Sequence, residues 1–165
     1  MSTPNVMWHS GRLNYNTPMG YFEIGIYQPR NGLNLGTLWR SAQQLGAAGI
    51  FTIGRPYRRQ TSDPYDAEMH IPLRTYPTFE EFLATRPQGA LLVGIEMGGA
   101  PLASFRHPAQ ALYLLGSEAM GLPDKVLERC QAVVALEAVR QASYNVAVAG
   151  SIVMYHRVFM NSQNS

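Results

Sequence analysis

Short apolar runs and polar, helix-spaced stretches alternate along most of this chain. Tyr21 to Tyr27 is apolar and β-prone and reads as a first strand. Asn34 then stands as a helix N-cap before Leu35, Leu38, Ala42 and Leu45, which recur at helical spacing. Gly46 and Gly49 close that helix, and Ile50 to Ile53 is the next strand. From Gly54 to Tyr76 the chain turns polar and proline-rich, with a short strand expected near Ile71 to Leu73. Thr78, Phe79, Glu80 and Glu81 have the spacing of a capping box, which opens a short helix. Ala90 to Ile95 is a buried-looking strand followed by a Gly98-Gly99 turn. Ala111 to Leu115 and Gln131 to Leu136 are two more strands, with a short helix from Asp124 between them. A last helix runs from about Tyr144 to Met160.

This alternation predicts an α/β fold, a mostly parallel sheet with helices on both faces. In such sheets ligands sit beyond the carboxyl ends of the strands. The first twenty residues, with Pro4, Gly11, Asn14, Asn16, Pro18 and Gly20, read as an irregular arm, leaving 21–165 as a single domain. In the last helix, Ala147, Ala149, Gly150 and Ser151 permit close packing, and Val148, Ile152 and Tyr155 form an apolar stripe. That surface suits a second subunit, a neighbouring segment of the chain, or a plain core.

Composition narrows the class. With 46% hydrophobic and 15% charged residues the chain is not disordered. No apolar run approaches the ~20 residues of a membrane span, and the N-terminus lacks the layout of a signal peptide, so a soluble cytoplasmic protein is expected. Cys130 is the only cysteine, which excludes an internal disulfide. It reads as a space-filling residue rather than a nucleophile, since no histidine is placed nearby to activate it. The net charge of +2 is compatible with RNA without implying it. Lys125 is the only lysine among 13 basic residues, and arginine suits phosphate contact and base stacking.

Three separated segments place polar side chains beside Gly or Ala. They are Asn34-Leu-Gly-Thr-Leu-Trp-Arg40, Leu115-Gly-Ser-Glu-Ala-Met-Gly-Leu-Pro123 and Ser143-Tyr-Asn-Val-Ala-Val-Ala-Gly-Ser151. Asn34 and Arg40, nearly two helical turns apart, are expected on similar faces, with Arg40 partly desolvated. Glu118 suits pairing with an arginine or accepting from a ribose hydroxyl, or is an ordinary first-turn glutamate. Ser143 and Asn145 precede the last helix, where free N–H groups point outward; simple capping is the plainer reading. Gly94-Ile-Glu-Met-Gly-Gly99 resembles a backbone nest, neither a Rossmann fingerprint nor a P-loop. Arg55-Pro-Tyr-Arg-Arg59 interleaves cations with an aromatic ring, as an RNA-tracking surface or a solvated loop would. His9, His70, His107 and His156 are scattered without metal-ligand spacing, so no metal is expected.

Together the three segments resemble the signature motifs of the SpoU/TrmH branch of the SPOUT methyltransferases, in family order, over about Tyr21 to Val158. The resemblance implies a SPOUT fold with a C-terminal trefoil knot, a homodimer with its site at the interface, and methyl transfer from S-adenosylmethionine to a ribose 2′-hydroxyl of RNA. The compact length resembles members acting on tRNA. An inactive RNA- and cofactor-binding homologue, an rRNA substrate, and another nucleotide-binding α/β enzyme are the alternatives. Carried over, the catalytic set is Arg40, Asn34, Glu118 and Asn145. The cofactor would lie against Ile95, Glu96, Met97, Gly98, Leu115, Gly116, Ala135, Leu136, Ser143, Tyr144 and Asn145. RNA contact is expected from Arg12, Arg55, Arg58 and Arg59. Two departures stand out. Ala135-Leu-Glu137 replaces the commoner Ile-Pro-Met, and Tyr144 and Ala147 replace Leu and Ser.

Overall fold

A computed structural model of the chain describes residues 20–55, 70–141 and 143–160, together with the backbone of 8–9 and 12–13. The latter form two short strands, β1 (Trp8–His9) and β2 (Arg12–Leu13), paired antiparallel. From Tyr21 onward strands and helices alternate: β3 (Tyr21–Tyr27), α1 (Gly32–Gln44), β4 (Gly49–Ile53), β5 (Leu73–Tyr76), α2 (Phe79–Thr85), β6 (Leu91–Pro101), β7 (Gln110–Leu115), α3 (Asp124–Leu127), β8 (Ala132–Ala135) and α4 (Val146–Tyr155). A wider π-type turn, His156–Met160, continues α4.

Six strands make one parallel sheet in the order β5-β4-β3-β7-β6-β8. Period-2 alternation sends side chains to two cores. Phe22, Ile24 and Ile26 of β3 and Tyr113 and Leu115 of β7 join Leu35, Leu38 and Ala42 of α1 and Val153 and Met154 of α4 on one face. Leu112 and Leu114 meet Phe79, Phe82 and Val126 from α2 and α3 on the other. Helices therefore cover both faces. From β3 the chain works outward through β4 to β5, then returns to lay β7 against the free side of β3. The β3/β7 boundary is thus a switch point, where the loops leaving two adjacent strands diverge and open a crevice.

Several local expectations shift. Asn31, not Asn34, caps α1: its side chain accepts from Leu33 N, which puts Asn34 inside the first turn. Gly46, at φ 83°, follows the helix end as expected, whereas Gly49 already opens β4. The strand expected at Ile71 to Leu73 forms two residues later, where Leu73–Tyr76 finds β4 to pair with. Thr78 caps α2 as its spacing implies, with Oγ1 accepting from Glu81 N at 3.1 Å. The Gly98-Gly99 turn is an excursion within β6 rather than its end. Val134 of β8 pairs with Ile95 and again with Ala100, so residues 96–99 bulge out of the sheet and the strand then resumes.

The small residues of α4 face inward. A Cβ on Gly150 would lie 2.5 Å from Leu38 Cδ1 and 2.9 Å from Leu115 Cδ1, so glycine is what lets α4 sit down on α1 and the sheet. Val148, Ile152 and Tyr155 remain exposed. With Thr37, Leu45 and Leu102 they line an apolar groove of about 490 Å³. Among the described residues no helix is long and apolar enough to cross a membrane.

Candidate functional site

On the β7-β6-β8 side of the switch point a cavity of about 510 Å³ opens beyond the carboxyl ends of those strands. Ile95, Leu115, Leu136, Val146 and Ala149 give it an apolar wall; Glu96, Ser117, Glu118, Ser143 and Asn145 supply polar groups. That size and mixture suit a small-molecule site. Of the residues expected at a cofactor, Ile95, Glu96, Met97, Leu115, Gly116, Leu136, Ser143, Tyr144 and Asn145 line it. Gly98 and Ala135 do not. Gly98 sits at the outer tip of the β6 bulge, with no neighbour within 4 Å of a Cβ placed there, and Ala135 is the last residue of β8, paired with Pro101.

The three polar segments meet at this cavity through one directed chain of hydrogen bonds. Asn145 caps α4, its Oδ1 accepting from Ala147 N at 2.9 Å and Val148 N at 3.2 Å. That leaves its Nδ2 to donate, and it does so to Asn34 Oδ1 at 3.0 Å. Asn34 Nδ2 in turn donates to Glu118 Oε1 at 3.0 Å. The ends dictate the polarity, since helix N–H groups only donate and a carboxylate only accepts. Glu118 also accepts from the backbone N–H groups of Arg30 and Asn31, both at 3.3 Å, which bolts the loop after β7 to the loop after β3. Burial raises the Glu118 pKa. The Asn34 amide and the backbone N–H groups of Glu118, Arg30 and Asn31 outweigh that and hold it below the ordinary carboxylate value. It is a fixed negative charge near neutral pH.

The second segment supplies a tight turn. Gly121 N donates to Ser117 O at 3.1 Å, and Gly121 has φ 65°. A Cβ on Gly116 would lie 2.3 Å from the Gly121 backbone, so only glycine lets these two stretches cross. The sequence reading missed Ser117, Ala119, Met120, Gly121, Val146 and Ala149 as lining residues. All of them lay within the second and third segments already singled out. It also missed the N–H groups of Arg30 and Asn31, which no side-chain pattern signals.

Arg40 does not line the cavity and is exposed in the single chain. Six residues along a helix advance about 600°, leaving Asn34 and Arg40 about 120° apart. They therefore project from different faces of α1, contrary to expectation. Arg40 lies on an exposed face of α1; its neighbour Ser41 meets α4, with its hydroxyl oxygen 2.8 Å from that of Ser151. Arg55 is exposed just past β4, at the same end of the sheet. Arg58 and Arg59 fall outside the described residues, as does the side chain of Arg12. Burial pushes the Cys130 thiol up to about 11, and its Sγ donates to Val126 O at 3.4 Å; it fills space beneath Gly94.

The fold has solved counterparts. A structure bearing on the 2-OH methylation of C/U34 on tRNA is 27% identical with a TM-score of 0.75, covering 89% of this chain and 99% of that one. An AdoMet-bound rRNA methyltransferase from Sinorhizobium meliloti is 24% identical (TM-score 0.72), covering 87% of this chain and 60% of that one. The SpoU methyltransferase AviRb from Streptomyces viridochromogenes, in complex with AdoMet, is 24% identical (TM-score 0.72), covering 88% and 59%. This chain thus spans about 60% of the length of the latter two, which share its fold. No curated protein matches it in sequence. The profile of the SpoU rRNA methylase family matches residues 21–155, from the first long strand to the end of α4. The chain belongs to the SpoU rRNA methylase family of RNA methyltransferases.

Proposed function

We propose that this protein transfers a methyl group from S-adenosylmethionine to a ribose 2′-hydroxyl of tRNA. The observation that carries this reading is the Asn145–Asn34–Glu118 chain at the rim of the cavity. The residues present fit such a donor. The apolar wall of Ile95, Leu115, Leu136 and Ala149 suits an adenine ring, and Gly116 permits backbone approach. Glu118 gives the site a negative charge, which suits a cation. When bound, the donor supplies a methyl group on a sulfonium, which leaves as a neutral thioether.

The chain's own residues do the rest. Attack by a ribose oxygen needs it held about 3 Å from the methyl carbon and in line with the departing sulfur. Asn145 and Asn34 fix the rim against which that ribose rests, and Glu118 locks the rim to β3. Arg40 is the cation assigned to the hydroxyl and its neighbouring phosphate. Guanidinium stays protonated, so it steers and stabilises developing negative charge, and the proton passes to phosphate or water.

Arg40 lies outside the lining of its own chain's cavity, on an exposed face of α1, and α4 leaves its Val148, Ile152 and Tyr155 face exposed. The proposal therefore includes a homodimer through that face, in which Arg40 serves the partner's cavity. The C-terminal knot of the SPOUT fold belongs to the same reading. Support for tRNA comes from the 27%-identical relative, matched over 99% of its length. The family description and the Sinorhizobium relative favour rRNA as the second reading.

Incubating the protein with bulk tRNA, rRNA and labelled S-adenosylmethionine, then mapping 2′-O-methylation, tests it. Label at a ribose in tRNA is the expected result. Label on rRNA alone selects the second reading, and none on either rejects both. Arg40→Ala should abolish turnover while donor affinity, read by calorimetry, stays near wild type.

A further inference from the structure

Glu96 leaves β6 where the strand bulges from the sheet, at the lip of the cavity, and is half-buried. Its carboxylate is engaged at both oxygens. Oε1 accepts from Met97 N at 3.0 Å, and Oε2 accepts from Leu122 N, across the cavity wall in the turn after β7, at 2.7 Å. One side chain thus joins the bulge of β6 to the second signature segment, 26 residues away. The turn is shaped to receive it. A Cβ on Gly121 would lie 2.5 Å from Glu96 Oε2, and the positive φ of Gly121 aims Leu122 N at the carboxylate. The same bonds consume the Met97 N–H, one donor of the Gly94–Gly99 stretch.

We infer that Glu96 is a positioning residue of the donor site, clipping the β6 bulge to the 117–121 turn and so setting the width of the cavity between them. The inference rests on the reading of this cavity as the S-adenosylmethionine site. A glutamate suits the task because two backbone donors converge on it from different loops. An amide offers one acceptor and would turn its own N–H groups toward the second donor. Charge-assisted bonds of this kind hold loops more firmly than neutral ones.

Glu96→Gln and Gly121→Ala break the same clip from opposite sides, and calorimetry with S-adenosylmethionine and with S-adenosylhomocysteine reads the result. Each single variant should weaken both ligands by about tenfold, the scale of one lost charge-assisted bond. The double variant should be little worse than either single, because one contact is removed twice. Amide exchange at Met97 and Leu122 should speed up in Glu96→Gln without any ligand. Wild-type affinity in Glu96→Gln overturns the clip, as does unchanged exchange at those amides. A loss confined to the sulfonium ligand also overturns it, in favour of direct charge contact. Failure of the wild-type protein to bind either ligand, with exchange still altered in Glu96→Gln, overturns the donor-site reading and leaves the clip as a wall for another ligand.

Discussion

Asn145 does two things with one amide: its oxygen caps α4 and its nitrogen reaches Asn34. Asp at this position retains the cap, since a carboxylate accepts from helix N–H groups at least as well. It has nothing to donate to Asn34 Oδ1. Asn145→Asp should therefore keep its melting temperature but lose most methyl transfer, while Asn145→Ala should also lose about 1 kcal/mol of stability. Thermal melts beside a transfer assay separate the two, and full turnover in Asn145→Asp would remove the amide bridge from the mechanism. A second chain of hydrogen bonds lies in the core beside α4. Arg157 donates from Nη1 to the Tyr113 hydroxyl at 3.1 Å. That hydroxyl lies 2.6 Å from His107 Nδ1, and His107 Nε2 lies 2.9 Å from His156 Nδ1. These contacts tie His107 between Tyr113 and His156, and His107 is held neutral. Burial first, then the charges of His156 and Arg157, lowers its pKa to about 3. The unfolded chain takes up that proton near 6.5 and the folded chain does not. Stability is thus complete above 6.5 and is lost progressively as pH falls toward 3, by at most about 1.36 kcal/mol per unit. Urea melts between pH 7.5 and 4.5 should show a shallower slope in His107→Phe than in wild type. Equal slopes would clear His107 of this role.

Elements owe their positions here to crossings that only small residues allow. Gly116 lies against Gly121 so closely that a Cβ would strike backbone, which cannot turn aside as a side chain can. Gly116→Ala should therefore force the 117–121 turn off the end of β7 and abolish donor binding by calorimetry, with the sheet intact by circular dichroism. Retained affinity would mean that the turn tolerates the shift. Helix and strand identities were readable from periodicity because burial follows it: β3 alternates between two cores, and α1 buries Leu35, Leu38 and Ala42. Boundaries failed where a partner decides them. β5 begins where β4 offers an edge, and β6 resumes past its bulge because β8 is there to pair with. The cap of α1 was misplaced because Asn31 and Asn34 carry the same side chain three residues apart. Which of them caps depends on where Glu118 draws the other.

At the scale of the molecule, the exposed stripe Val148, Ile152 and Tyr155 and the exposed Arg40 are the two features the proposed dimer uses. Ile152→Asp should give a monomer by sedimentation that still binds donor yet turns over poorly. Mixing Arg40→Ala with Asn145→Ala, each inactive alone, should restore roughly a quarter of wild-type activity, the share of intact sites expected in randomly paired dimers. No recovery would place Arg40 in the cavity of its own chain.

Residue order alone determined the α/β alternation, the two-sided core and the three polar segments, because periodicity and small-residue spacing are local properties of a chain. It also carried the family resemblance, and with it most of the cavity wall. What the tertiary structure decided was everything that depends on distant residues meeting. Asn34, Glu118 and Asn145 join across separations of 84 and 111 residues, Glu96 closes on Leu122, and His107 finds His156. No sequence pattern encodes such encounters, since they follow from where strands lie side by side in the sheet.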